Sequence, residues 1–335
     1  MSNAITRIEI KDFLVFKGEF AADFCPGVNV LIGANGTGKT ILMKCLYLPY
    51  MRSKHNLIEK KWDMSIGNKT MIVNFFGAYA TLTVGGKVAV AFGDTVFSLS
   101  TSSIADVENV LHGKAITYIP EKDILEHAKG LLTFIEQKQT GFGQNYKNVL
   151  ISAQDVPTQE QTKTQMYIGE IIENIIGGKV EWVADEGTFY TIRTDGTRIP
   201  FANEASGFKK FGYLGLLVST GQLAPGSILL WDEPENSLNP ERIQTLVDIL
   251  LELSRNGVQI FIATHSYDVA RWFELDKKDG DSLRIFSLTH TVNGIEEVHA
   301  DDYVSLPNNA IEDAGEKLYE RVIDVAAQKA GVNLK

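Results

Sequence analysis

The chain has 335 residues, 44% hydrophobic and 22% charged, with 29 glycines and 9 prolines. This composition is globular and excludes a disordered, collagen-like or coiled-coil chain; the length suits one large domain or two ordinary ones. Thirty-two basic against 42 acidic residues leave a net charge of −10, so any nucleic-acid contact has to be a local patch. In chain order, strands are predicted over 6–13, 16–24 and 28–32, the last running into a glycine-rich loop. A helix follows from Gly38 to about Leu48, stopped by Pro49, because a proline disfavours helical geometry in the residue before it. Residues 51–65 read as basic and irregular. A meander comes next, with short strands over 71–76, 79–84, 87–92 and 95–99 broken by Gly77, Gly85-Gly86 and Gly93-Asp94, and then a strand over 116–119.

From 121 to 177 the pattern turns helical, with Ile168, Ile171, Ile172 and Ile175 at helical spacing. Asp185 to Gly187 and Asp195-Gly196 mark two hairpins. A helix is predicted over 206–219 and a fully apolar strand over 227–231. Asn239 then caps a helix with Pro240 in its first turn. A strand over 258–263, a helix over 267–275, two strands within 282–298 and a helix from about 309 complete the chain. Cys25 and Cys45 are the only cysteines, and without a CxxC they argue against a disulfide scaffold or zinc module. No apolar run reaches the roughly 20 residues of a membrane span. The N-terminus, alternating Ile with charge, lacks a signal-peptide core. A soluble, cytoplasmic chain without membrane insertion is expected.

Two segments carry chemistry. Gly33, Ala34, Asn35, Gly36, Thr37, Gly38, Lys39 and Thr40 fit GxxxxGK[ST], between an apolar strand and a helix. Glycines let backbone N–H groups turn inward around a phosphate at the positive end of the helix. Lys39 adds a point charge, and Thr40 offers a hydroxyl to Mg²⁺. Ile41 stands where many such loops carry a second hydroxyl, leaving one α-phosphate contact to the backbone. The second segment, Ile228 to Pro234, delivers Asp232 and Glu233 from an apolar strand. Asp232 is placed for a Mg²⁺ shell, and Glu233 to deprotonate an attacking water.

These motifs, with Ser206-Gly207, Ser237 to Pro240 and Ala263 to Ser266 following in order, resemble an ABC-type ATPase. The opening strands into the phosphate loop are similar to the RecF, SMC and OLD-nuclease branch of AAA family ATPases. The resemblance implies a P-loop α/β fold with a two-lobed head: a mostly parallel core sheet, an antiparallel β layer and a helical lobe. The nucleotide-binding lobe would comprise 1–120 and 221–335, with 121–220 inserted as the helical, signature-bearing lobe. It implies ATP and Mg²⁺, the latter held by Thr40, Asp232 and Glu121, which stands where the family has a Q-loop glutamine. His265 corresponds to the switch histidine, Ser206 and Gly207 to the signature acting in trans, and Ser237 and Asn239 to the D-loop. Taken from the residues alone, Ser206 could equally cap a helix and His265 could be a satisfied loop residue. Phe208 replaces a signature glycine, and Asn239 an aspartate. The interval between 39 and 232 has no heptads, so a long coiled coil is not expected, nor is a Toprim-like nuclease domain after the last strand. The implied function is ATP hydrolysis driving a homodimer, or a heterodimer with a sister ATPase. It would act with DNA or a separate nuclease or effector protein in DNA maintenance or anti-phage defence; the alternative is a transporter's nucleotide-binding subunit.

Overall fold

The computed structural model describes residues 4–58, 76, 82–100, 115–121, 150–151, 153–154, 161–307, 309, 311–312 and 320–326. The first part of the chain forms β1 (Arg7–Phe13), β2 (Phe16–Asp23), β3 (Val28–Gly33), α1 (Lys39–Ile58), β4 (Leu82–Phe92), β5 (Thr95–Ser100) and β6 (Ile116–Ile119). Then follow α2 (Lys163–Ile176), β7 (Gly178–Val183), β8 (Thr188–Arg193), β9 (Arg198–Pro200) and α3 (Ser206–Ser219). The last part comprises β10 (Ile228–Asp232), α4 (Ile243–Arg255), β11 (Gln259–Ala263), α5 (Tyr267–Asp276), β12 (Leu283–Thr291) and β13 (Gly294–Ala300).

The central sheet has the order β13-β12-β3-β11-β10-β6. It is parallel from β12 to β6, with β13 antiparallel at the edge. Every residue of β3, β6, β10 and β11 is buried, as expected of parallel strands covered on both faces, and this is why they read as continuous apolar runs. Alternate residues feed two cores. Val30, Ile32, Leu229, Trp231, Ile260 and Ile262 pack against α2 to α5. Leu31, Leu230, Phe261 and Phe286 face α1 and a second, antiparallel sheet of order β2-β1-β4-β5. A third sheet, β7-β8-β9, adjoins α3. The expected fold class, a parallel core carrying the phosphate loop under an antiparallel layer, is what forms.

Three local expectations are corrected. The helix does not stop at Pro49 but runs through it to Ile58, so residues 51–58 are helical rather than irregular. Proline removes one N–H and crowds the preceding turn, yet Leu46, Tyr47, Leu48 and Met51 on both sides of it are buried in one core, and that burial outweighs the local penalty. Gly85-Gly86 does not end the strand: β4 runs across both as one element, and the two glycines fall where its pairing with β1 shifts register, between Lys11↔Lys87 and Phe13↔Leu82. Phe76, expected in a strand, is helical. Residues 71–75 and 77–81, most of 122–160, and much of the segment after 309 lie outside the described residues. Among the described residues no helix is long and apolar enough to cross a membrane.

Candidate functional site

The carboxyl ends of four neighbouring strands converge, at the edge of an open α/β sheet where ligands bind. β3 runs into loop 33–38, β10 ends at Asp232, β11 is followed by Thr264 and His265, and β6 by Pro120 and Glu121. The loop requires glycine at two contacts. A Cβ on Gly33 would lie 2.4 Å from the Leu288 carbonyl oxygen, and one on Gly38 would lie 3.0 Å from both the Phe16 and Val15 side chains. Gly33 and Gly38 also hold φ of +146° and +88°, values open to glycine at no steric cost. Ala34, Asn35 and Gly36 are exposed. Thr37 Oγ1 donates to the Ala34 carbonyl at 2.9 Å, tightening the turn.

Lys39 is buried, and its ammonium donates to the carbonyls of Gly33 (2.8 Å) and Ala34 (3.1 Å). Burial pulls its pKa down to about 8, against the opposing pull of Asp232, Glu233 and Glu235. Ile41 packs its side chain against the core beneath the antiparallel sheet. Asp232 is buried at the strand tip, where the Thr40 side chain hydrogen-bonds to it and the Tyr118 hydroxyl donates to its Oδ2 at 3.4 Å. Burial raises its pKa, with the Glu121 charge adding and Thr40, Tyr118 and Lys39 opposing. Thr40 and Asp232, brought together, suit Mg²⁺, which takes one or two protein ligands and completes its shell with water and phosphate. Among the described residues there is no preformed group of three acidic, His or Cys ligands. Glu121 stands at the margin and accepts from Asn236 Nδ2 at 3.3 Å.

Glu233 has φ +49°, a conformation costing a non-glycine residue about 1–3 kcal/mol and concentrated at functional sites. Its N–H donates to the Ala263 carbonyl at 2.8 Å, and its carbonyl accepts from Lys210 Nζ at 3.0 Å. Burial, then the charges of Glu121, Asp232 and Glu235, raise the carboxyl pKa, which makes it the better base. His265 Nε2 lies 3.5 Å from Glu233 Oε1. Burial and Lys39 hold the imidazole pKa below its usual value, so it stays neutral at pH 7. Glu235, Tyr118 and Lys210 were not foreseen. Glu235 lies inside the acidic motif two residues after Glu233, a carboxylate in a turn already marked as functional, and that was the available signal.

Neither Ser206 nor Gly207 hydrogen-bonds to the phosphate-loop residues among the described residues. Ser206 is exposed in the first turn of α3, and Ala205, the N-cap, makes no side-chain cap; no acid occupies the first turn. Ser206 is therefore no cap. The helix start meets the acidic turn within the chain, since a Cβ on Gly207 would lie 3.2 Å from Leu238 Cδ1 and Lys210 also donates to the Pro234 carbonyl at 3.0 Å. Phe208 turns inward against the core, with the Arg193 guanidinium 5.9 Å from its ring centre while Arg193 pairs with Glu204 at 2.8 Å. It is a packing residue. Ser237, at φ +60°, is exposed, and the Asn239 side chain caps the turn 240–242 by accepting the Glu241 N–H at 3.1 Å.

Residues 120–270 match the family described as "AAA domain, putative AbiEii toxin, Type IV TA system". A 65-residue stretch, 19% of the chain, is 37% identical to the DNA replication and repair protein RecF of Lactobacillus gasseri, covering 17% of that protein. Another of 87 residues, 25% of the chain, is 34% identical to the "Putative ABC transporter ATP-binding protein TTE0246" of Caldanaerobacter subterraneus, covering 34% of it. The chain thus spans about a sixth and a third of the curated relatives it matches. Among solved structures, an SMC head bound to the C-winged helix domain of ScpA aligns with a TM-score of 0.55 at 14% identity, over 89% of this chain and 97% of that one. A Pyrococcus furiosus SMC head with an extended coiled coil, bound to the C-terminal domain of ScpA, gives 0.53 at 12%, over 95% and 99%. The SMC head domain from Thermotoga maritima gives 0.50 at 13%, over 89% and 99%. These likenesses show the fold, a P-loop head of the ABC type. With the matched segments they support an ABC-type ATPase of the RecF/SMC kind, as the motifs led one to expect.

Proposed function

We propose that the chain hydrolyses ATP at this strand-end cluster and uses the nucleotide to close a homodimer. One observation carries the chemistry: Lys39, Asp232, Glu233 and His265, supplied by three separated parts of the sequence, share one charged cluster, buried at Lys39 and Asp232 and half-buried at Glu233 and His265. In this reading the loop amides and Lys39 bind the β- and γ-phosphates. Glu233 takes the proton of the attacking water, and its raised pKa suits that task. His265, 3.5 Å from the base, senses the γ-phosphate. ATPases of these families use ATP with Mg²⁺; here Thr40 and Asp232 would hold the ion, with Glu121 at its margin. It supplies charge neutralisation on the phosphates.

The assembly half of the proposal rests on α3. Its uncapped N-terminus and exposed Ser206 offer donors to an anion. Among the described residues neither Ser206 nor Gly207 hydrogen-bonds to the loop of the same chain. A second copy would supply the phosphate, with Ser237 and Asn239 lining the seam; a sister ATPase in its place makes a heterodimer. The effector is a separate nuclease or other protein, or DNA met through a local patch, in DNA maintenance or anti-phage defence. The test is Glu233→Gln, which should lower phosphate release by about 10² or more while ATP still binds. Wild-type turnover in that variant removes Glu233 as the base.

A further inference from the structure

The acidic turn holds a second carboxylate with its own set of partners. Glu235 Oε1 receives two donors from the end of β11: the Thr264 hydroxyl at 2.5 Å and the His265 backbone N–H at 3.2 Å. Thr264, fully buried, passes the constraint onward, because its Oγ1 accepts the Ser266 N–H at 2.9 Å. Ser266 in turn caps α5 through the Val269 N–H at 3.3 Å. One oxygen thus fixes the three residues that carry the imidazole from strand to helix. The other oxygen, Oε2, is buried and finds no hydrogen-bond partner among the described residues, so no opposing bond pulls the carboxylate away from 264–265.

The consequence concerns the site. Glu233 and Glu235 are two residues apart on one turn; the first meets the His265 ring at 3.5 Å and the second grips the His265 backbone. From this we infer that Glu235 is a positioning residue which sets the His265 imidazole against Glu233 through hydrogen bonds to Thr264 and His265. The inference rests on the ATPase reading for its catalytic consequence, though not for its geometry. A charge-assisted pair of bonds to a carboxylate is short and directional, and with the His265 backbone held on one side and its Nε2 facing Glu233 on the other, the place from which the ring meets the base is set.

The test has two arms. In the first, the full chain without nucleotide is labelled with ¹⁵N-histidine, and the His265 ring signals, assigned by their loss in His265→Ala, are followed by NMR. Wild type should give one sharp set, Glu235→Ala a broadened or shifted set, and Glu235→Gln, which keeps an acceptor oxygen, a set close to wild type. In the second arm, Glu235→Ala should lower kcat about tenfold or more with nucleotide Kd changed less than threefold, and Glu235→Gln should recover to within about threefold of wild type. Adding Glu235→Ala to His265→Ala should cost no further activity, since residues acting through one another are not additive. Unchanged ring signals in Glu235→Ala, a Gln variant as impaired as Ala, or additive losses in the double variant each overturn the inference. A wild-type chain without ATPase activity defeats the proposed function alone, and the NMR arm still decides the placement of His265.

Discussion

The two regions proposed to face the phosphates are built in opposite ways. Around loop 33–40 the polar groups already have partners in the chain: Lys39 on two loop carbonyls, Asp232 on Thr40 and Tyr118, Glu233 beside His265. At the start of α3 the reverse holds, with an exposed Ser206, an alanine at the cap and no acid in the first turn. The first region is a finished cradle that must break internal bonds to admit a ligand. The second is a set of donors left open. This contrast is what the proposed composite site, half on each of two chains, would require of its parts.

The largest expected effect falls on the open half. Ser206→Arg places a bulky cation at the seam. In a Glu233→Gln background it should abolish the expected ATP-dependent doubling of mass, read by light scattering, while a single chain binds ATP within about twofold of its parent. A doubling indifferent to residue 206 takes Ser206 out of the site. On the closed half, Lys39→Ala should weaken ATP binding about 10- to 150-fold, the equivalent of one hydrogen bond to a charged group at about 1.5–3 kcal/mol; titration with a fluorescent ATP analogue reads it.

The closed half also has a pH signature. The Lys39 pKa in the fold, about 8, lies below its ordinary value of 10.5. Between these values the unfolded chain holds more protons than the folded one, so stability rises with pH through that window. Below it the buried charge costs the fold on the order of a few kcal/mol. Lys39→Met should therefore melt higher than wild type at pH 7 without nucleotide, with the gap narrowing from about pH 8 toward 10.5. A constant gap means the cost is packing rather than charge.

The parallel core was legible because continuous apolar runs such as 228–231 and 259–262 have few readings once a glycine loop and a helix flank them. The loop, Asp232 and Glu233 were read from their spacing and flanking elements, and His265 from the family resemblance. Pro49 misled because local propensity was set against burial of Tyr47, Leu48 and Met51, and burial depends on a sheet formed far away in sequence. Gly85-Gly86 marked an irregularity rather than an end, since β4 pairs with β1 on both sides of them, at Lys87 and at Leu82, with a shift of register between. Glu235 and Lys210 stayed hidden because their importance lies in what they touch: a carboxylate on the next strand's end and an amine on two carbonyls are contacts without a sequence pattern.

The smallest expected effect is the one that best separates the two regions. Ala205 sits at the N-cap of α3 with φ −60° and ψ 141°, an extended geometry that a capping side chain adopts without strain. Ala205→Asp should supply the missing acceptor for the first-turn N–H groups and stabilise the chain by about 1 kcal/mol, a rise of about 2 °C in melting temperature for a chain this long. The same carboxylate would occupy the donors that the partner's phosphate needs and repel it. The variant should thus be more stable as a single chain and poorer at ATP-driven doubling. A stabilised variant that assembles as well as its parent would show that the open helix end is an unremarkable uncapped terminus, and the seam would have to lie elsewhere on the molecule.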